Sequence, residues 1–254
     1  LGGLIVGHKA DAVWHERCQV PLTSYAPDHG GISRAVQLAA NWSRLRATPR
    51  AERKVALVLA NYPIRDGRLA NGVGYDAPES TMRMLRALDE AGYRLDEPAD
   101  ERDGSQPIRR MTAADLIAAL QSGPTNADPR RGTSSARLPL ARYRDLFAGL
   151  AASIRAEVAE RWGDAAADPF VRGDTFHLPA LIFGNVAVLL QPARGYHLDE
   201  TLNYHDPALV PPHAYLAAYL WLRHEFGAHA LVHNGKHGTL EWLPGKAAAL
   251  DDAS

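Results

Sequence analysis

Residues 229–246 read HALVHNGKHGTLEWLPGK, in which a short apolar run is followed, after His233 and Asn234, by the two glycines Gly235 and Gly238. Residues 230–232 follow Gly227, a helix-stop glycine, and are typical of a strand that is buried on both faces. Gly235 and Gly238 let the backbone turn sharply and approach a ligand without interference from a Cβ atom. The pattern predicts a core strand that ends in a functional loop.

The loop carries groups suited to proton transfer and metal binding. Glu241 stands between Leu240 and Trp242, and an apolar setting raises the pKa of a carboxylate and favours a general base. A carboxylate that only caps a helix end is the alternative. His233 and His237 offer imidazole nitrogens, which suit first-row divalent metals. Because these histidines fall on strand and glycine turn, a helical H-E-x-x-H zinc site is rejected.

Composition limits the class of protein. The chain has 254 residues, 46% of them hydrophobic, which is enough for one large domain or two small ones. A net charge of -1 gives no electrostatic footprint for nucleic acid or an anionic membrane. The single cysteine, Cys18, excludes an internal disulfide and favours a reducing, cytoplasmic setting. No apolar run reaches the length of a membrane span. The sequence starts without methionine, and we expect a piece of a longer protein.

The N-terminal part, residues 1–50, is predicted to be an extended lead-in followed by a helix. The helix begins at Asp28 and carries Ile32, Val36 and Leu45 at helical spacing. Residues 51–254 are predicted to form an α/β region.

The first strand of that region is the apolar run 55–59. The loop after it reads ANYPIRDGRLANGVGYD, residues 60–76, and leads into a helix with Asp76 and Glu79 spaced as a capping box. A strand, a glycine-rich loop and a capped helix predict an anion or polar-ligand site at the helix N-terminus. The glycine spacing does not match a dinucleotide fingerprint, and a plain surface excursion is the alternative.

The middle of the chain, about residues 96–170, is predicted to be a helical insertion. Thr112 caps one helix, which Gly123 closes. Residues 123–137 are polar and predict a mobile loop. Apolar residues from Tyr143 to Trp162 predict one long helix that belongs to the core.

Strand patterns return at residues 175–183 and 186–190, and a helix opened by Pro211 and Pro212 follows. This strand, loop, helix and strand order predicts parallel strands with a right-handed crossover. The predicted fold class is therefore α/β, with an open, largely parallel sheet flanked by helices and a helical insertion in the middle.

Parallel strands end at the same edge of a sheet, so the loops after strands 55–59, 186–190 and 230–232 are expected to line one crevice. The polar residues of this expected crevice are Arg65, Asp66, Arg68, Gln191, Arg194, Tyr196, His197, His205, Asp206, His233, Lys236, His237 and Glu241.

Three segments carry a family resemblance: ANYPIRDGRLANGVGYDAPES at 60–80, GNVAVLLQPARGYHLDETLNYHDPALVPPHAYLAAYLWLR at 184–223, and GAHALVHNGKHGTLEWLPGK at 227–246. They resemble the large, tetrapyrrole-binding subunit of aerobic, ATP-dependent cobaltochelatase, a relative of the porphyrin-binding subunit of magnesium chelatase. The resemblance runs from about Arg50 to the end and is weakest between residues 96 and 174. Thr239, Ala208 and His229 depart from the residues common in the family.

The resemblance implies insertion of Co²⁺ into hydrogenobyrinic acid a,c-diamide, in the cobalamin pathway. It also implies ATP, with Mg²⁺, on partner subunits: an AAA+-type ATPase and an adaptor. The sequence agrees with this division, because it contains no G-x-x-x-x-G-K-[ST] phosphate-binding loop.

The chemistry of chelation indicates which residues act. Pyrrole-type protons must leave the ring while the metal sheds water, so Glu241 is the first candidate for the catalytic base, with His237 beside it. The candidate metal ligands are His233, His237 and Glu241. Cations can pair with ring carboxylates, and the candidate substrate-binding residues are Arg65, Asp66, Arg68, Asn71, Gln191, Arg194, Tyr196 and Lys236.

Plainer roles stay open for several of these side chains. His233 could bond only to backbone, and Arg65 could pair only with Asp66. At the level of function, the alternatives are a magnesium chelatase large subunit, a non-catalytic tetrapyrrole-binding scaffold and a metal hydrolase.

Overall fold

A computed structural model describes residues 3–61, 66–72, 74–95, 108–196, 206, 208–235, 238–240 and 243–245. The helices are α1 (His29–Ala47), α2 (Ala77–Glu90), α3 (Ala113–Ser122), α4 (Leu140–Ala148), α5 (Ala152–Trp162) and α6 (His213–Leu220). The strands are β1 (Gly7–Lys9), β2 (Val13–His15), β3 (Val20–Leu22), β4 (Tyr25–Pro27), β5 (Val55–Leu59), β6 (Asn71–Gly72), β7 (Tyr75–Asp76), β8 (Arg137–Pro139), β9 (Val171–Arg172), β10 (Thr175–His177), β11 (Ala180–Phe183), β12 (Val186–Leu190) and β13 (Ala230–Asn234).

The central element is a four-stranded sheet in the order β11, β12, β5, β13. Strand β5 runs parallel to both β12 and β13, as predicted, whereas β11 is antiparallel to β12. The α/β class is therefore confirmed, and the central sheet is mixed.

Helices cover both faces of this sheet, which explains why every residue of β5 and β12 is buried. Alternate residues of a strand point to opposite faces. One face packs against α2 and α3, and the other packs against α4 and α6. An apolar layer thus packs against each face of the sheet, and the two layers fix the positions of its strand ends.

Strand β13 lies at the edge of the sheet, and the prediction that it is buried on both faces was wrong. Leu231 is 37% exposed and Val232 is 39% exposed. Within the described part of the chain, β13 pairs with β5 alone. An apolar run therefore identified the strand but not its position in the sheet.

The N-terminal part forms more structure than the predicted lead-in. Strands β1 and β4 pair with each other, as do β2 and β3. Helix α1 begins after Asp28, whose carboxylate accepts a hydrogen bond from Gly31 N, so the predicted start is confirmed. Of residues 3–47 only Gly31 is buried, and Trp42 is 66% exposed. The apolar side chains of α1 thus pack against no core of the described chain.

The middle segment differs from the prediction in three respects. The expected long helix is two helices, α4 and α5, because the backbone leaves helical geometry at Ala151, with ψ 144°, and resumes it at Ala152. A strand, β8, lies within the expected helical insertion and pairs with β10. The loop at 123–137 is not a loose excursion, since Thr125, Asn126 and Ser134 are buried in it.

The expected single strand at 175–183 is divided into β10 and β11 by Leu178 and Pro179. The cap of α3 is confirmed: Thr112 and Asp115 form a complete capping box. No helix in the described ranges combines the length and hydropathy that a membrane span requires.

Candidate functional site

The carboxyl ends of β12, β5 and β13 lie side by side. Leu59 is in register with Leu190 on one side and with Asn234 on the other. Beyond the ladder, Gln191 N donates to Leu59 O at 2.8 Å, and Ala60 N donates to Asn234 O at 3.3 Å. The segments that follow the three strands therefore start from one edge of the sheet.

The side chain of Gln191 joins the segments after β12 and β13 to helix α6. It is 4% exposed, and its Nε2 donates to the hydroxyl of Tyr219 and to Oγ1 of Thr239, each at 2.8 Å. Its Oε1 lies 3.1 Å from Nδ1 of His233. One amide thus contacts α6, the end of β13 and the loop after β13.

Helix α6 contributes two tyrosines to this edge, and the sequence interpretation missed both as site residues. Tyr215 bonds through its hydroxyl to Thr239 Oγ1 at 2.8 Å. The ring of Tyr219 stacks on the ring of His233, with centroids 6.2 Å apart and planes 15° apart. Two tyrosines four residues apart on an otherwise apolar helix were the available signal, since positions i and i+4 share a face.

On the opposite face of the sheet, Asn234 holds the end of β13 against α2. It is 3% exposed, donates to Ala77 O at 3.2 Å and to Thr81 Oγ1 at 2.8 Å, and accepts from the hydroxyl of Tyr75 at 2.5 Å. Consecutive strand residues point to opposite faces, which explains why His233 faces α6 whereas Asn234 faces α2.

The N-terminus of α2, where the sequence predicts an anion or polar-ligand site, carries a carboxylate cap of its own. The carboxylate of Asp76 accepts a hydrogen bond from Glu79 N at 2.9 Å and so already occupies the helix terminus. The second half of the expected capping box is replaced by an ion pair, in which Arg83 Nε lies 3.1 Å from Glu79 Oε1. A helix terminus that holds its own carboxylate has less attraction for a bound anion.

Gly235 is required by close packing within the protein. A Cβ atom at this position would lie 2.3 Å from Cβ of Ala60. The glycine therefore lets β13 approach the end of β5. The sequence predicted that this glycine lets the backbone approach a ligand. In the structure the close neighbour is Ala60.

Asp66 is tied to the loop at 123–137. Its Oδ2 lies 2.6 Å from Nη1 of Arg131, and its Oδ1 accepts from the hydroxyl of Thr125 at 2.8 Å. The adjacent Asn126 donates to Gln191 O at 2.8 Å. This loop is thus a fourth segment at the sheet edge, which the three-loop prediction did not include.

The side chains of Arg194 and Tyr196 form hydrogen bonds with other residues of the chain. Arg194 is 4% exposed, and its Nη2 donates to Asp206 O at 2.8 Å and to Leu209 O at 3.2 Å. The hydroxyl of Tyr196 donates to the carboxylate of Asp168 at 3.1 Å. Both side chains hold the segment after β12 in place.

Asp168 anchors the start of α6. Its carboxylate accepts from Ala214 N at 2.9 Å and from Phe170 N at 3.0 Å. Burial raises the pKa of this carboxyl above its ordinary value, and the hydrogen bonds from Phe170, Ala214 and Tyr196 oppose that rise. The same burial, with the nearby Asp168 charge, raises the pKa of Tyr196 well above its ordinary value.

A second buried pair lies beside Asp168. Nδ1 of His213 lies 2.7 Å from the hydroxyl of Tyr143, and His213 Nε2 donates to Gly163 O at 3.0 Å. A carbonyl only accepts, so Nε2 carries the proton and Nδ1 can accept from the tyrosine. Burial raises the pKa of the Tyr143 hydroxyl, which keeps it a donor.

Comparison with known proteins gives the family. The family model described as CobN/Magnesium Chelatase matches residues 3–254. The chain belongs to the CobN/magnesium chelatase family. The resemblance stated from the sequence is thus confirmed.

Relatives within this chelatase family come from both metal branches. The aerobic cobaltochelatase subunit CobN of Sinorhizobium sp is 44% identical over 247 residues, which are 97% of this chain and 18% of that protein. CobN of Pseudomonas aeruginosa is 44% identical over 92% of this chain and 18% of its own length. A magnesium-chelatase subunit of Chlorobaculum parvum is 30% identical over 86% of this chain and 16% of its own length.

A solved structure within the family shares the fold. The catalytic subunit of cobaltochelatase from Mycobacterium tuberculosis superimposes with a TM-score of 0.70 at 36% identity and covers 89% of this chain and 18% of its own. The chain therefore spans 18% of the length of these cobaltochelatase relatives.

The structure brings part of the predicted chelatase site together. Asp66 reaches Thr125, Asn126 reaches Gln191, and Gln191 reaches His233. The three predicted loops therefore meet at one edge in the part of the chain that the structure describes.

Several predicted site residues are not among those that the structure describes with side chains. Arg65, His197, His205, Lys236, His237 and Glu241 lie outside the described residues, and for Arg68 and Asn71 the structure gives only the backbone. Among described residues, no three His, Cys, Asp or Glu side chains are grouped to hold a metal ion. The catalytic, metal-binding and substrate-binding roles remain predictions.

Proposed function

We propose that the chain is part of the large subunit of an ATP-dependent cobaltochelatase that inserts Co²⁺ into a tetrapyrrole, hydrogenobyrinic acid a,c-diamide. The observation that carries the proposal is the amide of Gln191, which contacts residues from α6, β13 and the loop beyond β13 at the edge where ligands bind in α/β sheets. The 44% identity to cobaltochelatase subunits supports the cobalt branch.

Glu241 is the proposed base. Chelation requires the ring to lose pyrrole-type protons as the metal binds, and a carboxylate in a partly dry cleft is suited to accept them. In the sequence, Glu241 stands two residues after Thr239, whose hydroxyl is fixed by Gln191 and Tyr215. A positioned general base typically contributes about 10²–10⁴-fold in rate.

We propose that imidazole groups bind Co²⁺ transiently before it enters the tetrapyrrole. His233 and His237 are the proposed ligands with Glu241, because imidazole and carboxylate suit a first-row divalent ion. His233 lies at the sheet edge beside Gln191 and Tyr219, which supports this role.

Ring binding is assigned to the polar loops. Arg65, Arg68 and Lys236 are proposed to pair with ring carboxylates, with Asn71 and Asp66 beside them. Gln191, Arg194 and Tyr196 are proposed to shape the wall, because their side chains hold the segment after β12.

Energy is proposed to come from other chains. ATP with Mg²⁺ would bind an AAA+-type ATPase that acts with an adaptor subunit, and the sequence contains no phosphate-binding loop of its own. The proposed setting is the cytoplasm, with neither membrane nor nucleic acid as partner.

The deciding experiment compares Glu241→Gln with wild type in the full-length subunit assembled with its partner subunits. Cobalt insertion is expected to fall by about 10²–10⁴-fold, while ring affinity, followed by the absorbance shift of the tetrapyrrole, stays unchanged. Glu160→Gln, on the exposed surface of α5, is the matched control.

Other results would contradict the proposal. Unchanged cobalt insertion by Glu241→Gln would indicate a scaffold module whose proton transfer occurs elsewhere. Insertion of Mg²⁺ but not Co²⁺ by the wild-type assembly would indicate a magnesium chelatase. Tight metal binding without any effect of the ring would favour a metal hydrolase.

A further inference from the structure

The side-chain amide of Gln191 forms its hydrogen bonds with other side chains of the protein. Both N–H groups of its amide have acceptors, the hydroxyl oxygens of Tyr219 and Thr239, each at 2.8 Å. Its oxygen faces Nδ1 of His233 at 3.1 Å. A buried amide with these three contacts is suited to orient a neighbour.

The main chain of Gln191 is held from two sides. Its N–H donates to Leu59 O at 2.8 Å, which extends the pairing with β5. Its carbonyl accepts from Asn126 Nδ2 at 2.8 Å. Because backbone and side chain are both fixed, the amide oxygen presents a preorganised acceptor to His233.

This acceptor determines which nitrogen of His233 carries the proton. An amide oxygen accepts and cannot donate, so Nδ1 must be the N–H of the pair. In the neutral ring Nε2 then holds the lone pair. The stacked ring of Tyr219 fixes the plane in which that lone pair lies.

We propose that Gln191 is a positioning residue that holds His233 in the Nδ1–H tautomer and thereby presents Nε2 to a divalent metal ion in transit. The inference rests on the proposed chelatase function. It assigns Gln191 a task distinct from ring binding: the amide acts through the imidazole. Ligating histidines are commonly oriented by a hydrogen bond from the other ring nitrogen, and loss of such a partner typically costs about 10–100-fold in metal affinity or activity.

Three variants of the full-length subunit, assembled with its partner subunits, test the inference. Gln191→Met keeps the length of the side chain and removes the acceptor, so the KM for Co²⁺ is expected to rise about 10–100-fold. Gln191→Glu keeps an acceptor toward Nδ1, and the hydroxyls of Tyr219 and Thr239 can turn to donate to the carboxylate. This variant is expected to restore the KM for Co²⁺ toward the wild-type value. Gln37→Met, on the exposed surface of α1, is the matched control.

The outcomes separate positioning from a structural role and from failure of the function itself. A wild-type KM for Co²⁺ in Gln191→Met overturns the inference. So does equal impairment of the Met and Glu variants together with a lower free energy of unfolding, since that pattern indicates packing. If His233→Ala abolishes insertion while Gln191→Met does not, the proposed function stands and the positioning role fails. A wild-type assembly that inserts no cobalt overturns both.

Discussion

The side-chain amide of Asn234 donates a hydrogen bond of 2.8 Å to the hydroxyl of Thr81. The bond joins the last residue of the edge strand β13 to the second turn of α2. Because Asn234 follows His233 in the chain, this contact also fixes the register in which His233 faces α6. The stability of the site thus depends on a residue on the other face of the sheet.

Replacement of Asn234 by Ala is expected to lower the free energy of unfolding by about 1–3 kcal/mol, because Thr81 and the carbonyl of Ala77 are buried and lose a hydrogen bond. The partners affected are Thr81, Ala77 O and the hydroxyl of Tyr75. Urea unfolding of the chain measures the change. Asn41→Ala, on exposed α1, should stay within about 0.5 kcal/mol of wild type. Equal effects of the two replacements would show that the Asn234 contacts contribute little.

Replacement of Gly235 by Ala is expected to destabilise the chain by about 1–3 kcal/mol, because the new methyl group overlaps Ala60. Gly67→Ala is the control, since a Cβ atom there meets nothing within 4 Å. The double variant Ala60→Gly with Gly235→Ala removes the overlapping methyl and should recover part of the loss. Urea midpoints are compared for wild type, the control, the single variants Ala60→Gly and Gly235→Ala, and the double variant. If the two single effects simply add in the double variant, the clash is excluded as the cause.

Asp168 predicts a pH dependence of stability. Its pKa is raised in the folded chain, mainly by burial, so folding favours the protonated form. The stabilising contribution is therefore full below the unfolded pKa, near 3.8, and is lost as the pH rises through the raised folded value. Each tenfold difference between the folded and unfolded acidity corresponds to about 1.4 kcal/mol.

The Asp168 effect is measured as the difference in free energy of unfolding between wild type and Asp168→Asn across a pH series from acid to neutral. The free energy of unfolding of wild type, relative to that of Asp168→Asn, should decrease as the pH rises. Asp145→Asn, on the exposed surface of α4, is the control and should show no such trend. If the relative free energy of unfolding of wild type instead increases with rising pH, the effect of burial is contradicted.

The sequence was sufficient for the elements whose signals are local. Asp28 marked the start of α1, and Thr112 with Asp115 marked the start of α3, because a cap is formed by residues three apart in the chain. The apolar runs at 55–59 and 186–190 identified β5 and β12, since strands covered on both faces lose polar alternation.

Local signals failed where long-range packing decides. Leu231 and Val232 looked like core residues but lie at a sheet edge, because an apolar run does not show how many neighbours a strand has. The loop at 123–137 looked like a loose polar segment, yet Asn126 bonds to Gln191, 65 residues away. Polar composition describes both a surface loop and a buried network of satisfied groups.

The sequence by itself determined the family and the strand ends at which polar loops begin. It also determined which residues of the loop after β13 are able to bind a metal or accept protons. Tertiary structure alone decided how the described polar side chains are used: Gln191 holds His233, Asn234 holds α2, and Tyr196 bonds to Asp168. The physical reason is that residue type and spacing specify which groups can form hydrogen bonds, whereas the partner of each group is set when distant segments pack together.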